Sequence, residues 1–210
     1  MGELKRVSDV DAAKRLLRKH MTAVINELTT QEIACQSQVV RMKLLRHPRF
    51  QSARRVSVYL PMADELQTAP HLIEDILSRG KECFIPRFVT NSRKMDMVKL
   101  YSLEDYHTLP TYKWNIRQPS FGDDRPDALQ TGGLDLMLVP GVAFTRSGKR
   151  LGHGKGYYDT FFAKHREVTG RLPYTIGLAF EQQIVPDLPT GEHDATLDEV
   201  LSLCDDDGDR

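Results

Sequence analysis

Arg55-Val56-Ser57-Val58-Tyr59-Leu60 is a short run rich in β-branched and aromatic residues, which predicts a strand. A second apolar run, Cys83-Phe84-Ile85, predicts another strand. Between them, Thr68 is predicted to cap a helix that carries Pro70 in its first turn and ends at Gly80. The order strand, helix, strand is the βαβ unit of a parallel sheet.

Apolar patterns on both sides extend this unit. Residues 134–139 are strongly apolar and predict a central strand, and the alternation over residues 95–101 predicts another. Two further strands are predicted at 174–180 and 200–203. Helices are predicted over residues 11–28, from the capping box Thr29-Thr30-Gln31-Glu32 to Arg46, and over 157–166. In the first helix, the pattern places Leu16, Leu17, Val24 and Leu28 inward and Lys14, Arg15, Arg18 and Lys19 toward solvent.

These elements predict an α/β fold in which a mostly parallel sheet is flanked by helices in three layers. We expect one domain over residues 1–204, followed by an acidic and disordered tail at 205–210. Ligands in such sheets bind beyond the carboxyl ends of the strands. Here those ends are predicted at Pro61, Pro86-Arg87 and Pro140-Gly141.

Composition excludes several classes of protein. The 210 residues include 29 basic and 29 acidic side chains, which argues against a nucleic-acid-binding protein or a polybasic membrane-surface protein. No apolar run approaches the roughly 18 residues of a membrane span, and the first residues lack the apolar stretch of a secretory signal. The odd number and wide spacing of Cys35, Cys83 and Cys204 argue against disulfides and zinc, and we expect Cys35 and Cys83 in the core. We therefore expect a cytoplasmic protein, and a monomer.

The net charge of zero conceals an uneven distribution along the chain. Residues 1–55 contain 12 basic and 5 acidic residues, whereas residues 187–210 contain 9 acidic residues and one basic residue. This distribution is consistent with a protein that binds a polyanion together with its metal ion.

The stretch Arg150-Leu151-Gly152-His153-Gly154-Lys155-Gly156-Tyr157-Tyr158-Asp159 places three alternating glycines directly before a predicted helix. Backbone N–H groups of such a loop, together with a helix N-terminus, bind anions. Four basic residues and no acidic one occur between Leu136 and Tyr158, which favours phosphate. The spacing fits neither the Walker loop nor the dinucleotide-binding pattern. A solvated loop without a ligand is the alternative interpretation.

The same stretch, preceded by Pro140-Gly141-Val142-Ala143-Phe144, resembles the signature of the 5-formyltetrahydrofolate cyclo-ligases. The resemblance covers nearly the whole chain. It includes the basic segment 14–18, the segments 64–68, 84–87 and 114–116, and the late Asp194. In this chain His153 stands where Tyr or Arg is usual, which leaves the role of that side chain open.

The resemblance implies an enzyme that converts ATP and 5-formyltetrahydrofolate to 5,10-methenyltetrahydrofolate, ADP and phosphate with Mg²⁺. It implies that the formyl oxygen is phosphorylated before N10 attacks. The catalytic assignments are Arg150, Lys155 and Tyr157. The implied ATP-binding residues are Lys14, Arg15, Leu16, Leu17, Arg18, Arg150, Leu151, Gly152, His153, Gly154, Lys155, Gly156, Tyr157 and Tyr158. The implied substrate-binding residues are Leu60, Glu65, Trp114, His153, Gly154, Lys155, Gly156 and Tyr157, and the implied magnesium ligands are Asp159 and Asp194.

Taken alone, most of these side chains have a second interpretation. Asp159 lies near a predicted helix start, where its negative charge would also stabilise the helix dipole. Asp194 is also consistent with an ordinary solvent-exposed acidic residue. Trp114 suits a half-buried anchor as well as a ring stacked on folate. One of the two tyrosines, Tyr157 or Tyr158, is expected to face the pterin and the other to pack inward. At the level of the whole protein, the alternatives are a catalytically silent phosphate-binding module and a different enzyme, such as a kinase or a phosphosugar isomerase, the latter of which would need no ATP.

Overall fold

The structure, a computed structural model, describes residues 2–62, 65–89, 92–112, 116–191 and 194–204, with side chains from residue 9 onward. The α-helices are α1 Gly2–Asn26, α2 Thr30–Arg46, α3 Pro48–Ser52, α4 His71–Ser78, α5 Leu103–Thr108 and α6 Tyr157–Thr169. The strands are β1 Arg55–Ser57, β2 Glu82–Phe88, β3 Met95–Leu100, β4 Leu136–Val139, β5 Ala143–Phe144, β6 Arg150–Leu151, β7 Tyr174–Leu178 and β8 Glu199–Leu201.

Six strands form one sheet in the order β3-β2-β1-β4-β7-β8. Every neighbouring pair is parallel except β2 with β3, which is antiparallel. All four residues of β4 are buried, as expected for a strand inside a parallel sheet. The predicted α/β class, the mostly parallel sheet and the central position of residues 134–139 are confirmed.

The two faces of the sheet are covered by different helices, which confirms the three layers. On one face, Val40 and Leu44 of α2 pack in one apolar cluster with Ile73 and Ile76 of α4 and with β1. On the other face, Phe161 of α6 packs with residues of β3 and β4. Burying apolar side chains on both faces stabilises the parallel sheet.

Several predicted element boundaries are wrong, and the largest difference is that α1 begins at Gly2 rather than at residue 11. The first strand ends at Ser57 rather than Leu60, and β2 continues through Pro86 to Phe88. Proline is tolerated there because β1 pairs with β2 only as far as Phe84, so from that point β2 keeps a single partner, β3. Thr68 does not cap α4 with its side chain, because that side chain is buried. Only its carbonyl oxygen accepts the N–H of Leu72, at 2.9 Å.

Local chemistry explains the ends of the first helices. The capping box is confirmed: the Thr29 hydroxyl accepts the N–H of Glu32, and the Glu32 carboxylate accepts the N–H of Thr29. The short helix α3 was not predicted. It begins because the His47 ring accepts the N–H of Arg49 and Pro48 occupies its first turn. The helix α5 and the hairpin β5–β6 were also not predicted from the sequence.

Two predictions of burial are wrong. In α1, Leu16 is 71% exposed, whereas Lys14 and Arg18 are half-buried beside the buried Met21. The half-buried cations face protein groups, described below, instead of solvent. Cys35 is exposed on α2 and only Cys83 is in the core.

The structure contains no helix, within its described ranges, that is long and apolar enough to cross a membrane. Residues 205–210 and Trp114 lie outside the described residues, so the predictions made for them stay predictions.

Candidate active site

The glycine-rich loop lies at the carboxyl edge of the sheet. After β4 the chain passes through Pro140-Gly141, forms the hairpin β5–β6, and enters α6 at Gly156. Gly154 and Gly156 have φ angles of +84° and +69°, a region that favours glycine. The first N–H groups of α6 therefore open onto the loop, which is the arrangement of an anion site.

Arg150 organises the base of this loop. Its side chain is 5% exposed, and its Nη2 donates to both carboxylate oxygens of Asp159 at 3.1 and 3.2 Å. The guanidinium also lies 5.5 Å from the ring centroid of Tyr158. A Cβ on Gly152 would lie 2.6 Å from Nη1 of Arg150, so a larger residue there would displace the guanidinium from this position. Arg150 is therefore positioned to hold Asp159.

The two predicted magnesium ligands are brought together. Oδ1 of Asp159 accepts the N–H of Ala195, the residue after Asp194, at 3.2 Å. Oδ2 of Asp194 accepts the N–H of Gly191 at 2.7 Å and pairs with the ammonium of Lys14. Burial opposes ionisation, but the Gly191 N–H and the Lys14 ammonium together lower the pKa of Asp194.

The carboxylates fit Mg²⁺ by their chemistry. Mg²⁺ prefers oxygen ligands and is usually held by one or two carboxylates completed by water and substrate phosphates. No group of three or more acidic, His or Cys ligands occurs among the residues that the structure describes. Asp159 and Asp194, which lie beside the glycine-rich loop, are an incomplete set of oxygen ligands of this kind.

Helix α1 lies against the loop and supplies its cations. Nε of Arg18 donates to the carbonyl oxygen of Gly152 at 2.7 Å, and the guanidinium lies close to Gly154. Burial lowers the pKa of Arg18, whereas Asp11 and Asp194 oppose this shift. The structure thus brings Lys14 and Arg18 to the site.

The neighbours of these cations on α1 are oriented differently. Arg15 and Leu16 are exposed, and Leu17 is half-buried against an apolar cluster that includes Leu151. Their predicted contacts with ATP stay predictions.

Lys155 and the two tyrosines complete the loop. Lys155 is exposed, and no hydrogen bond or ion pair joins it to another described residue. Tyr157 packs on Phe88 with ring centroids 4.8 Å apart, whereas Tyr158 is buried. Burial, and secondarily the charge of Glu65, raises the pKa of the Tyr158 phenol. Tyr158 is therefore the tyrosine that packs inward.

The loop after β1 supplies a buried carboxylate. Glu65 is 4% exposed, and its Oε2 accepts the N–H of Met62 at 2.8 Å. Its Oε1 lies 3.1 Å from Nε2 of His153 on the glycine-rich loop. Leu60 is buried at the start of the same loop. Glu65 and the glycine-rich loop, 88 residues apart in sequence, thus meet in one site.

Sequence reasoning missed three buried hydroxyl groups on and after β1. Ser57, Tyr59 and Thr68 are buried. The Tyr59 and Thr68 side chains interact with each other, whereas the Ser57 hydroxyl has no hydrogen-bond partner among the described residues. Buried hydroxyls usually have partners, so this polar lining is suited to a polar ligand. The alternation in residues 55–60, which places Ser57 and Tyr59 on one face, was the signal that could have found two of them.

The sequence of this chain matches a known protein family. Residues 10–202 match the model of the 5-formyltetrahydrofolate cyclo-ligase family. The chain belongs to that family. The match spans the α1 cations, the Glu65 loop, the glycine-rich loop and Asp194, so it includes each part of the site described above.

Individual relatives agree with the family match. The chain is 46% identical over 195 residues to the 5-formyltetrahydrofolate cyclo-ligase of Mus musculus, covering 91% of this chain and 94% of the relative. It is 39% identical to a probable 5-formyltetrahydrofolate cyclo-ligase of Caenorhabditis elegans, covering 93% and 95%. The NMR structure of Aquifex aeolicus 5,10-methenyltetrahydrofolate synthetase superposes with a TM-score of 0.72 at 27% identity, covering 89% of this chain and 88% of that one. The resemblance predicted from the sequence is confirmed, and with it the interpretation as a ligase.

Proposed function

We propose that this cyclo-ligase converts 5-formyltetrahydrofolate to 5,10-methenyltetrahydrofolate, with ATP hydrolysed to ADP and phosphate in the presence of Mg²⁺. The observation that carries the proposal is the convergence of the glycine-rich loop with two carboxylates, Asp159 and Asp194, and two α1 cations, Lys14 and Arg18. An anion-binding loop beside paired carboxylates is what a magnesium nucleotide requires.

The chemistry explains why a nucleotide is needed. Ring closure must expel the formyl oxygen, which leaves poorly as hydroxide. Transfer of the γ-phosphoryl group of ATP to that oxygen forms a C–O–P linkage and releases ADP. N10 then attacks the formyl carbon, the C–O bond breaks, and phosphate departs with the electron pair. The N10 proton passes to solvent, and the double bond between N5 and the carbon gives the methenyl cation.

Positioning and charge neutralisation are the main demands of phosphoryl transfer. Correct positioning can supply roughly 7–11 kcal/mol of a barrier. In the proposed roles, Arg18, Lys155 and the α6 N–H groups bind phosphates, and Arg150 keeps Asp159 oriented. Mg²⁺, held by Asp159 and Asp194, would neutralise phosphate charge.

A spectrophotometric assay tests the proposal. Purified protein is mixed with 5-formyltetrahydrofolate, and appearance of the methenyl chromophore is followed with ATP and Mg²⁺ present. We expect product in the complete mixture and none when ATP or Mg²⁺ is omitted. No product in the complete mixture would refute the proposal. Binding of ATP without turnover would instead favour the catalytically silent module, and product without ATP would exclude the phosphorylation step.

Three wider expectations accompany this function. We expect the protein to act as a monomer, to reside in the cytoplasm, and to bind small molecules without nucleic acid. Sedimentation at two protein concentrations tests the first, and fluorescence imaging of the tagged protein tests the second. Electrophoresis with labelled DNA and RNA tests the third.

A further inference from the structure

Glu65 is a carboxylate that the fold removes almost completely from water, since 4% of the residue is exposed. Burying a carboxylate is costly unless it is hydrogen-bonded. Its Oε2 accepts the N–H of Met62, within its own loop. Within the described part of the chain, His153 is the only side chain that hydrogen-bonds this carboxylate, with 3.1 Å between Nε2 and Oε1.

The position of His153 is fixed by its neighbours in the loop. The carbonyl oxygen of Gly152, directly before it, accepts Nε of Arg18 at 2.7 Å. Gly154, directly after it, has a φ of +84° and packs beside the Arg18 guanidinium. The histidine ring is therefore carried by backbone that Arg18 holds, and it reaches from the phosphate side of the site to Glu65.

The carboxylate retains capacity for a ligand. Two carboxylate oxygens can accept about four hydrogen bonds, and among the described residues Glu65 accepts one from Met62 and one from His153. A planar heterocycle with two N–H donors side by side, such as an aminopyrimidinone ring, matches the remaining positions of a correctly oriented carboxylate.

We propose that His153 is a positioning residue that orients Glu65 toward the folate ring and couples folate binding to the glycine-rich loop. The inference rests on the proposed function, because the folate is the ligand assigned to Glu65. The backbone around His153 is held, but its side chain is 33% exposed, so a nucleotide bound at the loop would restrain the ring and thereby the Glu65 carboxylate. ATP then increases folate affinity, and folate increases ATP affinity by the same factor.

Calorimetric titration of 5-formyltetrahydrofolate, with and without a non-hydrolysable ATP analogue and Mg²⁺, tests the inference. The proteins are the wild type, His153→Ala, His153→Gln, Glu65→Gln and the double variant His153→Ala with Glu65→Gln. His20→Ala, on the exposed side of α1, is the matched control. Loss of a hydrogen bond from the partly exposed His153 ring to the charged Glu65 carboxylate predicts a roughly tenfold weaker folate affinity for His153→Ala. His153→Gln, which retains an N–H donor, should recover most of the loss.

Two further results separate positioning from a general structural role. The affinity gain produced by the ATP analogue should disappear in His153→Ala and persist in His20→Ala. In the Glu65→Gln background, His153→Ala should weaken folate binding less than about twofold, because the two residues act together. In steady-state assays of the single variant His153→Ala, KM for folate should rise, while kcat should stay within about twofold of the wild-type value.

Unchanged folate affinity in His153→Ala, or an equal loss with and without Glu65, would overturn the inference. Failure of the proposed function is distinguishable, because the wild type would then form no methenyl product at all. Thermal unfolding of each variant, followed by circular dichroism, identifies any variant that loses binding through misfolding.

Discussion

Lys155 offers the most direct test of the anion site. It is exposed, no described residue pairs with it, and it lies between Gly154 and Gly156 on the loop that precedes α6. We therefore expect Lys155→Ala to weaken ATP binding more than 5-formyltetrahydrofolate binding. The perturbation removes one positive charge without disrupting a contact of the folded protein.

The expected magnitude follows from the exposure of the side chain. Two unit charges 4 Å apart attract by about 1 kcal/mol in water and by about 4 kcal/mol in a typical surface environment. Lys155 is exposed, and holding its side chain in one position on the phosphate costs side-chain entropy. We therefore expect Lys155→Ala to make the free energy of ATP binding less favourable by about 1–2 kcal/mol. This corresponds to a Kd for ATP that is about 5- to 30-fold larger, and the effect should shrink as ionic strength rises.

Lys149→Ala is the matched control for this experiment. Lys149 lies on the β5–β6 hairpin that leads into the loop of Lys155, but its Nζ is 2.6 Å from the carboxylate of Asp187, so its charge is already paired. Calorimetric titration with a non-hydrolysable ATP analogue should show less than about a twofold change for this variant. An equal loss of ATP and folate binding in Lys155→Ala would refute the placement of Lys155 on the phosphates. If Lys149→Ala weakened ATP binding as much as Lys155→Ala, the effect of Lys155 could not be assigned to a local contact with the phosphates.

Three further changes test the metal ligands, the loop and the fold. Asp159→Asn keeps the shape but removes the charge, so the Mg²⁺ concentration for half-maximal activity should rise several-fold, and an unchanged metal titration would contradict the assignment. Gly148→Ala should lower the free energy of unfolding by about 3 kcal/mol in urea, against about 1 kcal/mol for Gly80→Ala. Both glycines have positive φ, but of the two only a Cβ at Gly148 would clash with a backbone oxygen, that of Leu197, so equal losses would count against the close approach. Asp105 forms a bidentate ion pair with Arg125, and the hydrogen bonds of this pair lower the pKa of Asp105. Asp105→Asn disrupts the pair and should lower the free energy of unfolding by about 2 kcal/mol at pH 7. Because the pKa of Asp105 is lower in the folded state than in the unfolded state, this stabilisation is fully present above the unfolded value of about 3.9 and is lost as pH falls through the folded value. The difference between variant and wild type should therefore shrink as pH falls below about 3.9, and a difference independent of pH would contradict the assignment.

The elements that the sequence predicts well are those governed by local patterns. The capping box at Thr29, the apolar run at 134–139 and the glycines before α6 each specify their conformation within a few residues. The strand–helix–strand order then fixes a parallel sheet, because the connection between parallel strands requires a crossover. The edge at which a ligand is expected follows from the direction of the strands.

The orientation of α1 could not be predicted in this way. Periodicity places leucines inward and cations outward, whereas the structure exposes Leu16 and half-buries Lys14 and Arg18. The partners that make this arrangement favourable are a carbonyl oxygen at Gly152 and the carboxylate of Asp194, which lie 134 and 180 residues away in sequence. A helix pattern carries no information about such partners, so tertiary contacts override it.

The uneven charge of the chain acquires a structural meaning from these contacts. The basic N-terminal helices dock on the acidic C-terminal segment: Lys14 pairs with Asp194, and His47 lies 2.8 Å from the carboxylate of Glu199. Exposed ion pairs contribute little to stability, but these groups are partly buried, so their pairing also fixes how α1 meets the glycine-rich loop. Because Asp194 pairs with Lys14 while its neighbour Ala195 donates to Asp159, the docking that closes the fold also assembles the carboxylates of the site. Charge separation along the sequence thus contributes to the geometry that the proposed magnesium nucleotide would require.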